Sequence, residues 1–130
     1  MINMALMGSG RVSIAAVWLY HGLWNKLLAP AGRHADIVAR APVIGGLSPH
    51  TVLAIIGVGE VLLALWVLSG WQQRWAAIVQ TLLLVAMNVV GLFWAPDQIA
   101  DPGDMIVQNF AFLVLVWIVA VVRPAAEKNV

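Results

Sequence analysis

One carboxylate lies in the middle of a long apolar stretch of this chain. Glu60 is the one ionisable residue between Thr51 and Gly70, a run of twenty residues. A charged carboxylate is costly in such surroundings, so an acidic side chain there normally faces other helices or a water-filled cavity and is a candidate for function. Glu60 is therefore the first residue for which chemistry is expected, either proton exchange or hydrogen bonding to a cation.

Further polar residues lie in the other apolar stretches. If each stretch is a helix that rises about 1.5 Å per residue, Glu60 and His21 lie at similar depths, on the order of 12 to 13 Å from one membrane surface. Lys26 lies nearer to that surface, and its long stem can reach either water or the interior. We predict a polar pocket that opens toward this surface, formed by six residues: His21, Asn25, Lys26, Glu60, Asn88 and Asn109.

The direction of the Glu60 side chain follows from helical spacing, since residues three and four positions apart share a face. Gly57 and Ala64 lie one turn away on either side. Small residues let a neighbouring helix approach closely, so Glu60 is expected to point into a helix bundle. Its face contains these residues: Leu53, Ile56, Gly57, Leu63, Ala64 and Val67.

Two interpretations of Glu60 remain open. In the structural one, the carboxylate accepts hydrogen bonds from a neighbour such as His21, Lys26 or Asn88 and fixes the helix register. Interhelical polar contacts in membranes contribute only about 0.6 kcal/mol on average, which scarcely offsets the insertion cost. In the functional one, the apolar surroundings keep the carboxyl neutral until a cation or a proton acceptor arrives.

The amino-acid composition indicates the class of protein to which these polar residues belong. The 130 residues are 62% hydrophobic and 10% charged, with a mean hydropathy of +0.92. Soluble domains are about a quarter charged and less than half apolar, and a chain this short lacks the polar residues to cover a soluble surface. An integral membrane protein in contact with the lipid bilayer is expected. A net charge of +1 without a basic run argues against nucleic acid as a partner.

Four apolar segments are each long enough to cross a hydrocarbon core of about 30 Å as helices, which lipid requires for backbone hydrogen bonding. We predict an all-α membrane protein, an antiparallel four-transmembrane-helix bundle in a single domain spanning residues 1–130, with helices at about 11–29, 51–70, 74–94 and 105–122. Helix-breaking residues mark the ends: Pro30, Gly70, Pro96 and Pro124. Polar residues such as His21 and Lys26 interrupt the first segment, which favours a retained helix over a cleaved signal peptide.

The connections between these helices differ in character. In the long first connection, Gly32–Ala41 is predicted to form a short amphipathic helix on the membrane surface, with a plain polar loop as the alternative. The tight connection at Gly70–Gln73 makes the second and third helices antiparallel neighbours. Four spans place both termini on one side, and basic residues favour that side by four to three. Both termini are therefore expected to be cytoplasmic.

Motifs for well-known catalytic sites are absent from the sequence. It contains no HExxH, Walker, GxGxxG or GxSxG pattern. The histidines His21, His34 and His50 are too dispersed to predict a metal or haem site, and the chain has no cysteine for thiol chemistry or iron–sulfur ligation. No metal is expected, and these motifs indicate no enzyme class.

Several short motifs nevertheless follow one another in a recognisable order. They are Gly22-Leu23-Trp24-Asn25-Lys26-Leu27, then Gly57-Val58-Gly59-Glu60, then Asp101-Pro102-Gly103 followed by Asn109. In this order the chain resembles the DoxX-like family of small four-helix bacterial membrane proteins. The Gly-x-x-x-Lys motif of the family matches Gly22 and Lys26, and its second-helix acid matches Glu60. Gln108 stands where many relatives carry a lysine.

The resemblance implies a protein of the bacterial inner membrane with a redox-linked role, because the family takes its name from a subunit associated with quinone-linked oxidation of sulfur compounds. It makes a quinone the candidate ligand of the predicted pocket, with Glu60, His21 and Lys26 exchanging protons or hydrogen bonds with it. Partner membrane or redox proteins and an oligomer are the candidate assemblies. Two alternatives are a structural or assembly subunit without its own activity and a small proton-coupled transporter.

Overall fold

The computed structural model of the protein describes residues 2–29, 32–41 and 46–123. Pro30 and Pro124, two of the predicted helix breakers, lie outside these ranges. Within them every regular element is helical. In chain order the elements are α1 (Met4–Leu19), a π-helical segment (Tyr20–Leu28), α2 (Gly32–Arg40), α3 (Pro49–Ser69), α4 (Gln73–Trp94), a 3₁₀ turn (Pro96–Gln98) and α5 (Pro102–Val121).

Three helices in the described part of the chain, α3, α4 and α5, are long and apolar enough to cross a membrane. Large apolar side chains such as Leu82, Phe93 and Phe110 are exposed on their outer surfaces, as expected for helices in contact with lipid. The prediction of an all-α membrane protein with apolar spanning helices is confirmed.

The first helix differs from its prediction in both its start and its geometry. It begins at Met4 rather than near residue 11, because Asn3 caps it by accepting a hydrogen bond of 2.8 Å from the Leu6 amide. After the 16 residues of α1 the backbone continues for nine residues as a π-helix. The first predicted span is therefore not one continuous α-helix.

Capping residues also explain the small differences at the other helix ends. Ser48 caps α3 and Asp101 caps α5, and each is followed by a proline at the first helical position. These two helices consequently start two or three residues before the predicted positions 51 and 105. Gly70 ends α3 with a φ of +73°, a left-handed conformation that favours glycine.

The predicted short helix in the first connection forms as α2, so the plain-loop alternative is wrong. It packs against α3 and α4 and against the 3₁₀ turn that follows α4. The Arg40 side chain at its end forms an ion pair with Asp97 in that turn. This contact ties α2 to the connection between α4 and α5.

One buried apolar cluster joins α1, α3, α4 and α5. Within it, α1 packs mainly against α3, and α4 packs mainly against α5. Arg11 contacts Gly70 near one end of α3, whereas the π-helical segment contacts Glu60 farther along, so α1 and α3 run antiparallel. The buried cluster contains Met7, Ile14, Ala15, Trp18, Leu63, Ala64, Val67, Ala76, Ala77, Val116 and Val119.

The two ends of the molecule differ in their connections. We call the end with the tight Gly70–Gln73 connection the turn end, and it also holds the start of α1 and the C-terminal part of α5. We call the opposite end, with α2 and the 3₁₀ turn, the loop end.

Candidate functional site

A buried ion pair joins the π-helical segment to α3. Lys26 Nζ lies 2.8 Å from Glu60 Oε2 and donates a hydrogen bond of 3.0 Å to Oε1. It also donates a hydrogen bond of 3.3 Å to the backbone oxygen of His21. The two side chains are 2% and 0% exposed. Lys26 therefore turns toward the carboxylate in the interior rather than reaching for the membrane surface.

One oxygen of Glu60 keeps free acceptor capacity. Although Oε2 is the nearer oxygen to Lys26 Nζ, the angle of that contact does not make a hydrogen bond. Oε2 is buried, and among the described residues its contact is the Lys26 ammonium, without a hydrogen bond of its own. Buried carboxylate oxygens are usually bonded to donors, so this oxygen is a place where a further donor could bind.

The π-helical segment orients Lys26. Its backbone includes a hydrogen bond of 2.8 Å from the Ala29 amide to the Trp24 oxygen, five residues back. Because a π turn is wider than an α turn, residues four apart lie nearly one above the other, and Gly22 and Lys26 are both buried against α3. π-helical turns are rare and occur frequently at functional sites.

Two glycines let the backbones approach at the ion pair. A Cβ at Gly22 would lie 2.7 Å from the Gly57 oxygen and 2.8 Å from Glu60 Cβ. A Cβ at Gly57 would lie 3.0 Å from both the Gly22 oxygen and Lys26 Cβ. Gly57 was expected to allow a close approach, whereas the packing role of Gly22 was missed although its spacing of four from Lys26 is visible in the sequence.

The predicted face of Glu60 is the face that α3 buries. Glu60 itself is 0% exposed, and the small residues Gly57 and Ala64 on either side are buried as well. Ile56 is half-buried. The helical spacing thus identified the inward direction of the carboxylate. The other buried residues of this face are Leu53, Leu63 and Val67.

His21 and Asn25 lie on a different side of the π-helical segment. The His21 side chain is exposed, with its ring centroid 5.7 Å from that of Tyr20. Asn25 Nδ2 lies 3.5 Å from His21 Nδ1. The contribution of His21 to the ion pair is its backbone oxygen rather than the ring that the sequence suggested, because the π geometry turns Gly22 and Lys26 toward α3.

Asn88 and Asn109 form a second polar contact. Asn109 Nδ2 donates a hydrogen bond of 2.8 Å to Asn88 Oδ1, and Asn88 Nδ2 donates one of 2.9 Å to the Leu84 oxygen. These bonds join α4 to α5 and do not involve Glu60. The six predicted residues therefore separate into the Lys26–Glu60 pair, the neighbouring His21–Asn25 contact and this asparagine pair.

The region around the ion pair is closed in this structure. Close glycine contacts surround the two charges, and neither charge is exposed. A groove of about 370 Å³ lies instead along α5, lined by Phe110, Leu113, Val114, Trp117, Ile118 and Val121. In the described ranges, no group of three or more histidine, aspartate or glutamate residues could hold a metal ion.

Comparison with known protein families finds a match over most of the chain. The family described as DoxX-like matches residues 15–117 of this chain. This range includes the ion pair, the two glycines at which the backbones approach each other, and the asparagine pair. No curated protein and no solved structure matches the chain at a significant level.

Proposed function

The chain belongs to the DoxX-like family of membrane proteins, and on this premise we propose that its buried ion pair is a binding site. A small lipophilic molecule with carbonyl oxygens, such as a quinone headgroup, would enter between Lys26 and Glu60. Each side chain would then form hydrogen bonds with this molecule instead of with the other side chain. The protein would act as an accessory membrane subunit of a redox system. The observation that supports this function is the buried Lys26–Glu60 pair, whose glutamate lies in a helix long and apolar enough to cross a membrane.

A structural role explains this pair less well than a binding role. Desolvation of two buried charges often exceeds their attraction, and apolar replacements of buried pairs are often as stable. Interhelical polar contacts in membranes contribute only about 0.6 kcal/mol on average. Within the described structure Oε2 of Glu60 has the ion contact with Lys26 and no hydrogen bond of its own. A pair that contributes little to folding is suited to exchange partners with a ligand.

The chemistry of the two side chains suits a quinone. The Lys26 ammonium can donate a hydrogen bond to a carbonyl oxygen, and the Glu60 carboxyl can give or take a proton beside it. A quinone carries two electrons and two protons when it is reduced, with the electrons supplied by a partner redox protein. The proposed task of this chain is to hold the headgroup and to exchange protons with it.

We also propose that α1 and the π-helical segment form the fourth crossing of an antiparallel four-helix bundle in the bacterial inner membrane. Together they extend from Met4 to Leu28, which at about 1.5 Å per residue suffices for a core of about 30 Å. Trp18 and Ile14 of α1 belong to the same buried cluster as residues of the three spanning helices. The weak basic bias favours cytoplasmic termini.

A titration of the reconstituted protein tests the binding function. Short-chain ubiquinone and menaquinone analogues are added separately, and intrinsic tryptophan fluorescence is followed. We expect saturable quenching with at least one of them, and we expect the double variant Lys26→Met with Glu60→Gln to lose saturation while it keeps its helical circular dichroism. Asp97→Asn at the loop end serves as the matched control and should bind like the wild type.

Two results would count against this function. The first is the absence of a saturable change with either quinone. The second is equal quinone affinity in the wild type and the double variant. If the double variant instead loses its helical content, the pair is structural, and the assembly-subunit alternative replaces the binding function.

A further inference from the structure

At the turn end lies a cation, Arg11, for which the described residues provide no hydrogen-bond acceptor. The Arg11 guanidinium packs against Gly70, where a Cβ would lie 2.6 Å from Nη1 and 3.0 Å from Cζ. Gly70 also has the left-handed conformation that ends α3. Position 70 thus accommodates both the end of the helix and the guanidinium of α1.

Arg11 does not cap α3. The carbonyl oxygen of Val67 accepts a hydrogen bond of 3.2 Å from Gln73 Nε2. The carbonyl oxygen of Trp66 accepts a hydrogen bond of 2.6 Å from Ser69 Oγ. Throughout the described structure, no hydrogen bond or ion pair involves Arg11, and its Nε is buried without a partner. Since a guanidinium remains charged at any physiological pH, an acceptor from outside the described chain is required.

The charges of the two ends are unequal. Arg74 and Arg123 are exposed near the same end as Arg11, and Trp71 and Trp75 are 67% and 61% exposed there. Arginine and tryptophan without a carboxylate therefore characterise the turn end within the described ranges. The described aspartates lie at the loop end: Asp36, Asp97, Asp101 and Asp104.

Apolar surface surrounds Arg11 on α1. Met4 and Leu6, nearer the start of the helix, are 66% and 59% exposed, and Val12 beside Arg11 is 58% exposed. Met4 lies on the order of 10 Å farther out than Arg11 at the usual helical rise. Because Arg11 packs on Gly70, where the apolar helix α3 ends, its guanidinium is level with the end of a candidate span, from which a long side chain can reach the headgroups.

We propose that Arg11, seated on Gly70, binds the phosphate of an anionic phospholipid in the leaflet at the turn end. A guanidinium can donate two parallel hydrogen bonds to phosphate oxygens, and such acceptors are missing around Arg11 among the described residues. Arg74 adds positive charge that favours an anionic over a zwitterionic lipid. The exposed tryptophans lie in the interfacial zone where their rings are enriched. This site is at the opposite end of α1 from the ion pair and does not depend on quinone binding.

Lipid titration of the delipidated protein in detergent tests the site. Phosphatidylglycerol, phosphatidylcholine with the same acyl chains, and inorganic phosphate are compared, with bound lipid counted by native mass spectrometry. We expect phosphatidylglycerol to bind about fivefold more tightly than phosphatidylcholine. In Arg11→Gln this preference should be lost, so that the two lipids bind with similar affinity. Arg40→Gln at the loop end is the matched control and should keep the preference, because Arg40 is already paired with Asp97.

A second measurement separates lipid binding from a structural role of Arg11. In lipid-free detergent, Arg11→Gln should not lower the thermal unfolding midpoint, whereas the increase on adding phosphatidylglycerol should be lost. Arg11→Lys keeps the charge without the bidentate geometry and should show an intermediate preference. Equal binding of the two lipids, an unchanged preference in Arg11→Gln, or saturation by inorganic phosphate alone would each overturn the site.

Discussion

At the scale of single residues, Lys26 and Glu60 depend on each other. Replacing Lys26 alone with methionine leaves a buried carboxylate without its cation, so we expect a loss of about 3–5 kcal/mol in the free energy of unfolding. Lys26→Met combined with Glu60→Gln removes both charges and should recover most of that loss. Reversible unfolding in mixed detergent micelles measures both values, and the Glu60→Gln single variant completes the double-mutant cycle.

A matched control for this cycle is the exposed ion pair of Arg40 and Asp97. Arg40→Met should change the free energy of unfolding far less than Lys26→Met, because exposed pairs contribute little. If Lys26→Met were as stable as the wild type, the ion contact at 2.8 Å would be energetically unimportant and Glu60 would not depend on Lys26.

Gly22 is the residue on which the close approach of the two backbones depends most. A Cβ at this position would lie 2.7 Å from the Gly57 oxygen, which belongs to the backbone and cannot rotate away. We expect Gly22→Ala to lower the free energy of unfolding by about 1–3 kcal/mol, in the range of overpacked cores. It should also weaken quinone binding, because the π-helical segment must move away from Glu60.

Gly59 provides the control for that substitution. It lies in α3 next to Glu60 and is exposed, and a Cβ there would meet no atom within 4 Å. Gly59→Ala should leave stability unchanged or raise it by up to about 1 kcal/mol, since alanine is the better helix former. Equal effects of the two substitutions would show that helix propensity, not the interhelical contact, determines the result.

The ion pair between Asp97 and Arg40 at the loop end makes the stability of the folded state depend on pH. The hydrogen bond from the Arg40 side chain lowers the pKa of Asp97 below its ordinary value, and the Gln98 amide contributes to the same shift. Because the pKa is lower in the folded state, the contact stabilises the folded state above the ordinary aspartate pKa. That stabilisation is lost as the pH falls through the lowered pKa.

Carbon-13 NMR of the Asp97 carboxyl group measures this pKa directly. Arg40→Gln should raise the pKa of Asp97 toward its ordinary value, because the donor with the largest effect is removed. Arg74→Gln at the turn end is the control and should leave the titration of Asp97 unchanged. An Asp97 titration that does not move in Arg40→Gln would mean that the ion pair does not form in the membrane.

At the scale of elements, the hydrogen bonds made by side chains of α4 are expected to contribute unequally to the free energy of unfolding. Trp18 Nε1 donates a hydrogen bond of 2.8 Å to Gln80 Oε1, and both residues are buried. Gln80→Leu would leave the indole N–H unpaired in the core, at an expected loss of about 1–3 kcal/mol in the free energy of unfolding. Asn109→Leu should lose only about 0.6 kcal/mol, because its partner Asn88 is half-buried and also bonds within α4.

The same unfolding assay in micelles compares these two variants. Thr81→Val, which removes the acceptor of the half-buried Trp117 indole, should fall between them. A larger loss for Asn109→Leu than for Gln80→Leu would show that the asparagine pair, not the tryptophan–glutamine bond, fixes α4 in the bundle.

Hydropathy and helical spacing predicted the long helices and the buried face of Glu60, since both depend on local periodicity. Comparison of depths offered both His21 and Lys26 as partners of Glu60, and the structure pairs Glu60 with Lys26. The change to π geometry at Tyr20 was not predictable in this way, because hydrogen bonding to the fifth residue back leaves no mark in hydropathy. That change is the physical reason why His21 was assigned to the inner face and Gly22 was not.

At the scale of the whole molecule, the position of α1 relative to the membrane decides how many crossings the chain makes. The absence of cysteine allows single cysteines to be introduced without background labelling. If α1 crosses, Asn3→Cys and Gln72→Cys at the turn end should react with a membrane-impermeant thiol reagent only from the cytoplasmic side. Asp36→Cys and Gln98→Cys at the loop end should react only from the opposite side.

Asn3 and Asp36 together discriminate between three and four crossings, because they flank α1 and its π-helical segment. Opposite accessibility of these two positions requires that the first helix pass through the bilayer despite its change of geometry. Labelling of both from one side would leave three crossings, formed by α3, α4 and α5 alone. In that case Lys26 would reach Glu60 from a helix that does not cross, and the ion pair would be accessible from one leaflet rather than enclosed within a bundle.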